Sequence, residues 1–294
     1  MDWSIIVPLY RSLELLPAQY AAFASDRDMA RAELVLVLDS PEQEEELRRA
    51  LHGLELIYGL AATLVVNRRN LGYAGAVNAG AAVARGRWLA LCNSDVLPAG
   101  PGWLSSMRGA LLPSVGAVGP MLLFPDDTIQ HAGMYFDQGV DGRWLNRHFF
   151  KGHARTTAAA RLAREVPAVT GACMMLAAQT FERLGGLSAD YVIGDYEDSD
   201  LCLRLRAAGL RLWYAPDAVL YHLERHSIQR HPGYQRGVAA HYNRWLHGRR
   251  WNRVMAVLME DRARWGLPSR QGWRPEVPPV RPDEPVEPSV PLVA

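Results

Sequence analysis

Ser4-Ile5-Ile6-Val7-Pro8-Leu9-Tyr10 is an apolar run that ends on an aromatic residue. It is short, and it lacks the polar alternation of a half-exposed strand. Those are the marks of a strand buried on both faces. Similar runs recur at Leu34 to Leu38, Thr63 to Val66 and Arg87 to Cys92, with helical stretches such as Glu42 to Leu51 and Ala74 to Ala84 between them. Buried strands alternating with helices predict an α/β fold, a mostly parallel central sheet covered by helices on both faces.

Beyond Pro98 the pattern changes. Gly, Pro and Asp are frequent between Val115 and Asp141, which predicts short, irregular strands, and the basic stretch Arg143 to Glu165 reads as a loop or lid. A strand is expected at Ala172 to Leu176, helices at Gln179 to Leu184 and Ser199 to Ala208, and strands at Leu210 to Tyr214 and Ala218 to His222. Val238, Tyr242 and Trp245 share a face of a further helix. Residues 267–294 are rich in Pro and Glu and read as a disordered tail.

The composition excludes several classes. Of 294 residues, 49% are apolar and 21% charged, as in an ordinary soluble globular protein. A formal net charge of +1 gives no reason to expect nucleic acid as a partner. Met1-Asp2-Trp3 leads into the first strand with no signal-like segment, and polar residues or Pro interrupt every longer apolar run. Cys92, Cys173 and Cys202 are far apart in apolar segments and read as buried thiols of a reducing compartment. A cytoplasmic protein is expected.

In open α/β sheets, ligands bind beyond the carboxyl ends of the strands. The first run ends in Pro8-Leu9-Tyr10 and the second in Asp39-Ser40-Pro41. The third is followed by Asn70-Leu71-Gly72 and then Asn78-Ala79-Gly80, and the fourth by Asn93-Ser94-Asp95. Tyr10 and Asp39 suit a nucleoside, one by stacking and the other by accepting hydrogen bonds. Each acid alone is as readily a turn or cap residue. Four polar clusters on one edge argue for a site.

These blocks, with Thr170-Gly171-Ala172-Cys173, Gly194-Asp195-Tyr196-Glu197-Asp198-Ser199-Asp200, and Ala215-Pro216-Asp217 followed by His222, resemble the family 2 glycosyltransferases of the GT-A fold. The resemblance covers residues 3 to 226 and is nearest to rhamnosyltransferase-like enzymes of bacterial surface-polysaccharide assembly. It implies a catalytic domain at 1–226, with a nucleotide-binding half at 1–98 and an acceptor half at 99–226, then a helical extension at 227–266. It also implies inverting transfer from a nucleoside-diphosphate-sugar, of UDP, dTDP or GDP type, to a saccharide or lipid-linked saccharide, with a divalent cation, Mn²⁺ or Mg²⁺. Pro8, Tyr10, Asp39, Asn70, Gly72, Asn78, Asn93, Ser94 and Asp95 would bind the donor.

The family's acidic metal motif is commonly Asp-x-Asp, and here Asn93 replaces the first acid. Asp95 is then the sole carboxylate at that corner, and the resemblance puts a metal-side histidine at His222. A hydrogen-bonded structural histidine is the competing reading of His222. The second acidic cluster is Asp195, Glu197, Asp198 and Asp200. Helix capping accounts for one or two of these, while four repel one another and suggest a further purpose. The resemblance assigns the general base to Asp198, with Glu197 holding the acceptor or orienting the base.

Arg225, Arg230, Arg236, Arg244, Arg249, Arg250 and Arg253 follow His222, with His226 and His231. They offer a diphosphate clamp near Arg225 and His226, a patch for a lipid-linked acceptor at the inner face of the membrane, or a solvated helix face. Two alternatives to a transferase are a degenerate nucleotide-sugar-binding protein, which Asn93 favours, and a sugar nucleotidyltransferase. The basic, Gly-rich loop of the latter is absent after the first run.

Overall fold

The computed structural model describes residues 1–223 and 237–269. In chain order the elements are β1 (Trp3–Leu9), α1 (Leu16–Ala24), β2 (Ala32–Leu38), α2 (Glu44–Tyr58), β3 (Ala62–Val66), α3 (Gly72–Val83), β4 (Trp88–Cys92), β5 (Val96–Pro98), α4 (Trp103–Ala110) and β6 (Val115–Leu123). Then come β7 (Ile129–His131), β8 (Met134–Gln138), β9 (Trp144–His148), β10 (Arg164–Val166), β11 (Cys173–Ala177), α5 (Ala178–Arg183), α6 (Glu197–Ala207), β12 (Arg211–His222) and α7 (Val238–Leu258).

The main sheet runs β10-β12-β6-β11-β4-β1-β2-β3, with β5 beside β12 and β7 beside β6. β3, β2, β1 and β4 are parallel neighbours, β11 lies antiparallel between β4 and β6, and β6 and β12 are parallel again. The carboxyl ends of β1, β2, β3 and β4 therefore share one edge. Side chains alternate between two cores. Ile6, Val35, Val37 and Leu91 pack with α3, α5, α6 and α7 on one face, while Ile5, Val7, Leu34 and Leu36 pack with α1, α2 and α4 on the other. Gly80 lets α3 sit close to the sheet, since a Cβ there would stand 2.5 Å from Ile6 Cγ2 and 2.8 Å from Val37 Cγ2.

Several expectations for the second half need correction. β6 is long and wholly buried, not short and irregular. The supposed loop at 143–165 contains β9, which forms a hairpin with β8 from Met134↔His148 to Gln138↔Trp144. Leu210 to Tyr214 and Ala218 to His222 belong to one strand, β12, because a register shift between Ala215 and Val219 absorbs Pro216 and Asp217. The face of α7 bearing Val238, Tyr242 and Trp245 points outward: Trp245 is 47% exposed. The helix packs through Asn243, His247 and Met255 instead. The predicted tail starts too early at 267. Leu267 N–H donates to Arg262 O at 3.1 Å, and the Arg262 guanidinium donates to Pro268 O at 2.9 Å. The rest of that tail, 270–294, lies outside the described residues. The three cysteines are free and buried.

Candidate active site

One cleft of about 450 Å³ opens at the shared strand edge. Pro8, Tyr10, Asp39, Asn70, Gly72, Asn93, Ser94, Asp95, Glu197, Asp198 and His222 all line it. Elements separated by more than a hundred residues thus meet at one place. Asn78 does not line it. Its side-chain amide donates to Leu187 O at 2.8 Å and its carbonyl accepts from Leu187 N–H at 2.9 Å. Asn78 pins a turn, so the donor-binding role expected for it is withdrawn.

Asp39 works mainly on the protein itself. Its carboxylate accepts from Asn67 Nδ2 at 2.8 Å, Leu71 N–H at 2.9 Å and Gly72 N–H at 2.9 Å, folding the loop that leads into α3. Burial raises its pKa above the ordinary aspartate value against the pull of those donors. Asn70 caps the same turn, its Oδ1 accepting from Gly72 N–H at 2.7 Å. The turn reading holds, and the saturated turn is itself a wall of the cleft.

At the next strand end, Asn93 N–H donates to Ala172 O at 2.9 Å, locking the strand end against the segment before β11. Asn93 Oδ1 is buried and has no hydrogen-bond partner among the described residues. An orphaned acceptor beside a cleft suits a ligand hydroxyl or a metal-bound water. Asp95 Oδ1 lies 3.2 Å from His222 Nε2, and His222 Nδ1 lies 2.7 Å from Gln130 Oε1. With Gln130 Oε1 toward the ring, the Nδ1 proton is fixed and the Nε2 lone pair faces a carboxylate. Two such acceptors in contact call for a proton or a cation between them. Two oxygen or nitrogen ligands about 2.1 Å from one cation and at right angles stand about 3 Å apart, close to the observed separation. Asp95 and His222 therefore fit a divalent cation as neighbouring ligands. No group of three His, Cys, Asp or Glu side chains gathers for a metal among the described residues, so the phosphates and water would supply the remaining positions.

The acidic segment spans the loop before α6 and the first turn of that helix, which holds Glu197, Asp198 and Asp200. Ile193, Asp195 and Tyr196 have φ of 68°, 78° and 76°. Left-handed backbone at non-glycine residues costs about 1–3 kcal/mol each and concentrates at functional sites. The loop rests on α3, where Tyr73 N–H donates to Ile193 O at 2.8 Å and Tyr73 OH to Gly171 O at 2.6 Å. Asp198 accepts from Gly171 N–H at 2.8 Å and from Ser199 N–H at 2.6 Å. Burial nevertheless raises its pKa, with Asp195 adding to the rise. Glu197 is pushed up much further, by burial first and then by Asp198 and Asp195, and its Oε2 has no partner among the described residues. Both carboxyls are thus pushed toward their neutral forms, Glu197 the more strongly, which sets the two apart. Two carboxyls set apart in this way are suited to proton transfer near neutral pH.

The sequence did not reveal the opposite wall. Gln130, Asn146, His148 and Lys151 line it from β7 and from the β8–β9 hairpin and its exit. His131 Nδ1 and His148 Nδ1 are 2.9 Å apart. Burial, Lys151 and His222 push His148 down to about 3, so it is neutral at ordinary pH. Three histidines spaced at 131, 148 and 222 were the available signal, but only the hairpin register brings them together.

The arginines after His222 divide. Arg225, Arg230 and Arg236, with His226 and His231, lie outside the described residues. Arg244 grips Asp141 through two bonds, at 3.0 and 3.1 Å, and Arg250 pairs with Asp190, so both are engaged within the chain. Arg249 stacks on Trp245 at 5.5 Å. No helix among the described residues is long and apolar enough to cross a membrane.

A parallel nucleotide-type sheet edge, continued by an inserted antiparallel strand and closed by an acidic loop, defines the GT-A class. The family model described as "Glycosyltransferase like family 2" matches residues 2–248, and the chain belongs to that family. It is 35% identical over 226 residues to "Uncharacterized protein y4gI" of Sinorhizobium fredii, covering 75% of this chain and 24% of that protein. It is 30% identical over 164 residues to the N-acetylglucosaminyl-diphospho-decaprenol L-rhamnosyltransferase of Mycobacterium tuberculosis, covering 53% of this chain and 52% of the relative. The match thus spans about a quarter and about half of these relatives' lengths. In three dimensions the chain is similar to GalNAc-T7, solved with UDP, GalNAc and Mn²⁺, with a TM-score of 0.61 at 16% identity, over 76% of this chain and 44% of that one.

Proposed function

We propose that the protein is an inverting glycosyltransferase that moves a sugar from a nucleoside diphosphate to a saccharide or lipid-linked saccharide hydroxyl. One observation carries this reading: the Asp95–His222 pair and the Asp198–Glu197 pair line the same cleft. Diphosphate departure needs positive charge at one end of the donor, and hydroxyl attack needs a base near the anomeric carbon. The nucleoside would lie along Pro8, Tyr10, Asp39 and Asn70, with Asn93 Oδ1 free to accept from a ribose hydroxyl. Asp95 and His222 would hold the diphosphate's divalent cation, which offsets the negative charge of the leaving group when bound. Imidazole as a ligand favours Mn²⁺ over Mg²⁺.

In the transfer itself, Asp198 takes the proton of the acceptor hydroxyl as that oxygen forms its bond to the anomeric carbon. The carbon–oxygen bond to the diphosphate breaks, and the nucleoside diphosphate leaves with the electron pair. Glu197, pushed toward its neutral form by burial and by Asp198, would donate to an acceptor oxygen or to Asp198 and keep the base oriented. Family membership and the named rhamnosyltransferase relative support a deoxyhexose or hexose donor and a polyprenyl-linked acceptor in surface-polysaccharide assembly. The membrane face and the cytoplasmic location belong to the same proposal.

A second reading, nucleotide-sugar binding without turnover, is favoured by Asn93 in place of an acid. A thermal-shift screen of UDP-, dTDP- and GDP-sugars with Mn²⁺, followed by donor hydrolysis or transfer, tests both. A true donor stabilises the folded state by mass action. Stabilisation with turnover supports the transferase, stabilisation without turnover supports the binding protein, and neither overturns the proposal.

A further inference from the structure

We propose that Asn243, on α7, is a positioning residue that holds the left-handed loop leading into the acidic pair at the start of α6. Its catalytic consequence rests on the transferase reading, whereas its structural consequence does not. Asn243 is fully buried. Its Oδ1 accepts from Val192 N–H at 2.9 Å, and its Nδ2 donates to Val192 O at 2.9 Å and Gly194 O at 2.6 Å. A single side chain therefore brackets Ile193, the first left-handed residue of the loop, from outside, while Tyr73 N–H holds Ile193 O from α3.

The grip continues along the same helix face. One turn on, His247 Nε2 lies 3.1 Å from Ser199 Oγ, and that hydroxyl lies 3.1 Å from Tyr196 O. A further turn on, Trp251 Nε1 donates to Asp200 Oδ1 at 2.8 Å. Residues 243, 247 and 251 recur at helical spacing and meet residues 192–200 in order. Glu197 and Asp198 lie inside the gripped segment. A backbone held in a sparsely populated conformation relaxes when its anchors are removed. The carboxylates it carries then lose the alignment that transfer requires, since about 1 Å of misplacement costs up to about 10²-fold in rate.

Asn243→Leu, which keeps the branched shape in a somewhat larger side chain and removes all three bonds, and Asn243→Ala test this on the full chain. Tyr242→Ala, on the outward face, serves as control. With whichever of the UDP-, dTDP- or GDP-sugars supports turnover, kcat should fall about 10- to 100-fold, while the donor KM changes less than about threefold. The acid limb of the kcat profile should move to lower pH, because water reaching the loosened loop relieves the burial that raises Asp198. Amide hydrogen exchange at 192–198 should quicken, with β1 and β4 protected as before. Unchanged exchange at 192–198 overturns the proposal, as does a rate loss shared equally by Tyr242→Ala. Were no donor turned over by the wild type, the transferase reading would fail and the exchange measurement would still decide the brace. If one variant unfolds, seen as exchange quickening across β1 and β4, the other decides by the same criteria.

Discussion

The two sides of the cleft are built in opposite ways. The β1–β4 side is made of strand ends and tight turns held by neighbours on the adjacent strand or in the next turn, as Asp39 is by Asn67, Leu71 and Gly72, with Asn93 Oδ1 left without a partner among the described residues. The acidic side is a left-handed loop held from three directions: by Tyr73 on α3, by Gly171 before β11 and by Asn243 on α7. The first side is a seat closed by bonds between neighbouring strand ends and turns. The second is assembled from distant parts and stores strain. Binding and chemistry are thereby separable, and substitutions on the two sides should have different kinetic signatures.

The largest separation is expected from Asp198→Asn. It keeps the shape and can still accept from one of Gly171 and Ser199 N–H, but removes the proton acceptor, so turnover should fall about 10²-fold or more with donor binding little changed. Steady-state kinetics beside equilibrium donor binding would show it, and near-normal turnover would erase the contrast between the two sides. Asp95→Ala should do the reverse: donor binding in Mn²⁺ weakens and its metal dependence disappears, with His222→Ala milder. Wild-type activity that survives EDTA would remove the cation from this account.

Smaller effects sharpen the picture. Gly80→Val forces a side chain against Ile6 and Val37 and should lower stability by about 1–3 kcal/mol in denaturant titration, with kcat per folded molecule unchanged. Asp195→Asn removes a charge that raises Asp198. The folded pKa of Asp198 falls, a larger fraction is ionised at a given acid pH, and the acid limb of the kcat profile should shift by less than about one pH unit to lower pH. A shift to higher pH would mean that Asp195 acts otherwise than through its charge.

The same contrast explains what was legible in the sequence. Buried parallel strands write themselves as unbroken apolar runs, so β1, β2 and β4 and the polar residues after them could be read directly. Asn93 and Asp95 stood out because they follow a strand, and His222 because the family resemblance points to it at a strand end. Local signals failed where a residue's role depends on distant chain. Asn78 sits nearly two turns into a helix that borders the cleft, yet its amide is spent on Leu187, over a hundred residues away. The hairpin bearing Asn146 and His148 carries too much Arg, Asn and Gly to announce a strand. Asn243 carries no local signal in a basic helix, and the face shared by Val238, Tyr242 and Trp245 is the exposed one. A helix with a buried polar stripe and an exposed apolar one inverts the usual pattern, and only the loop it serves makes sense of that.

The account turns on a single direct displacement at the anomeric carbon with Asp198 as base. The product's anomeric configuration tests this most directly. Transfer from a donor of known configuration, followed by NMR of the new glycosidic linkage, should show it inverted. Retention of the donor's configuration would require an intermediate on the near face of the sugar and would contradict the role given to Asp198.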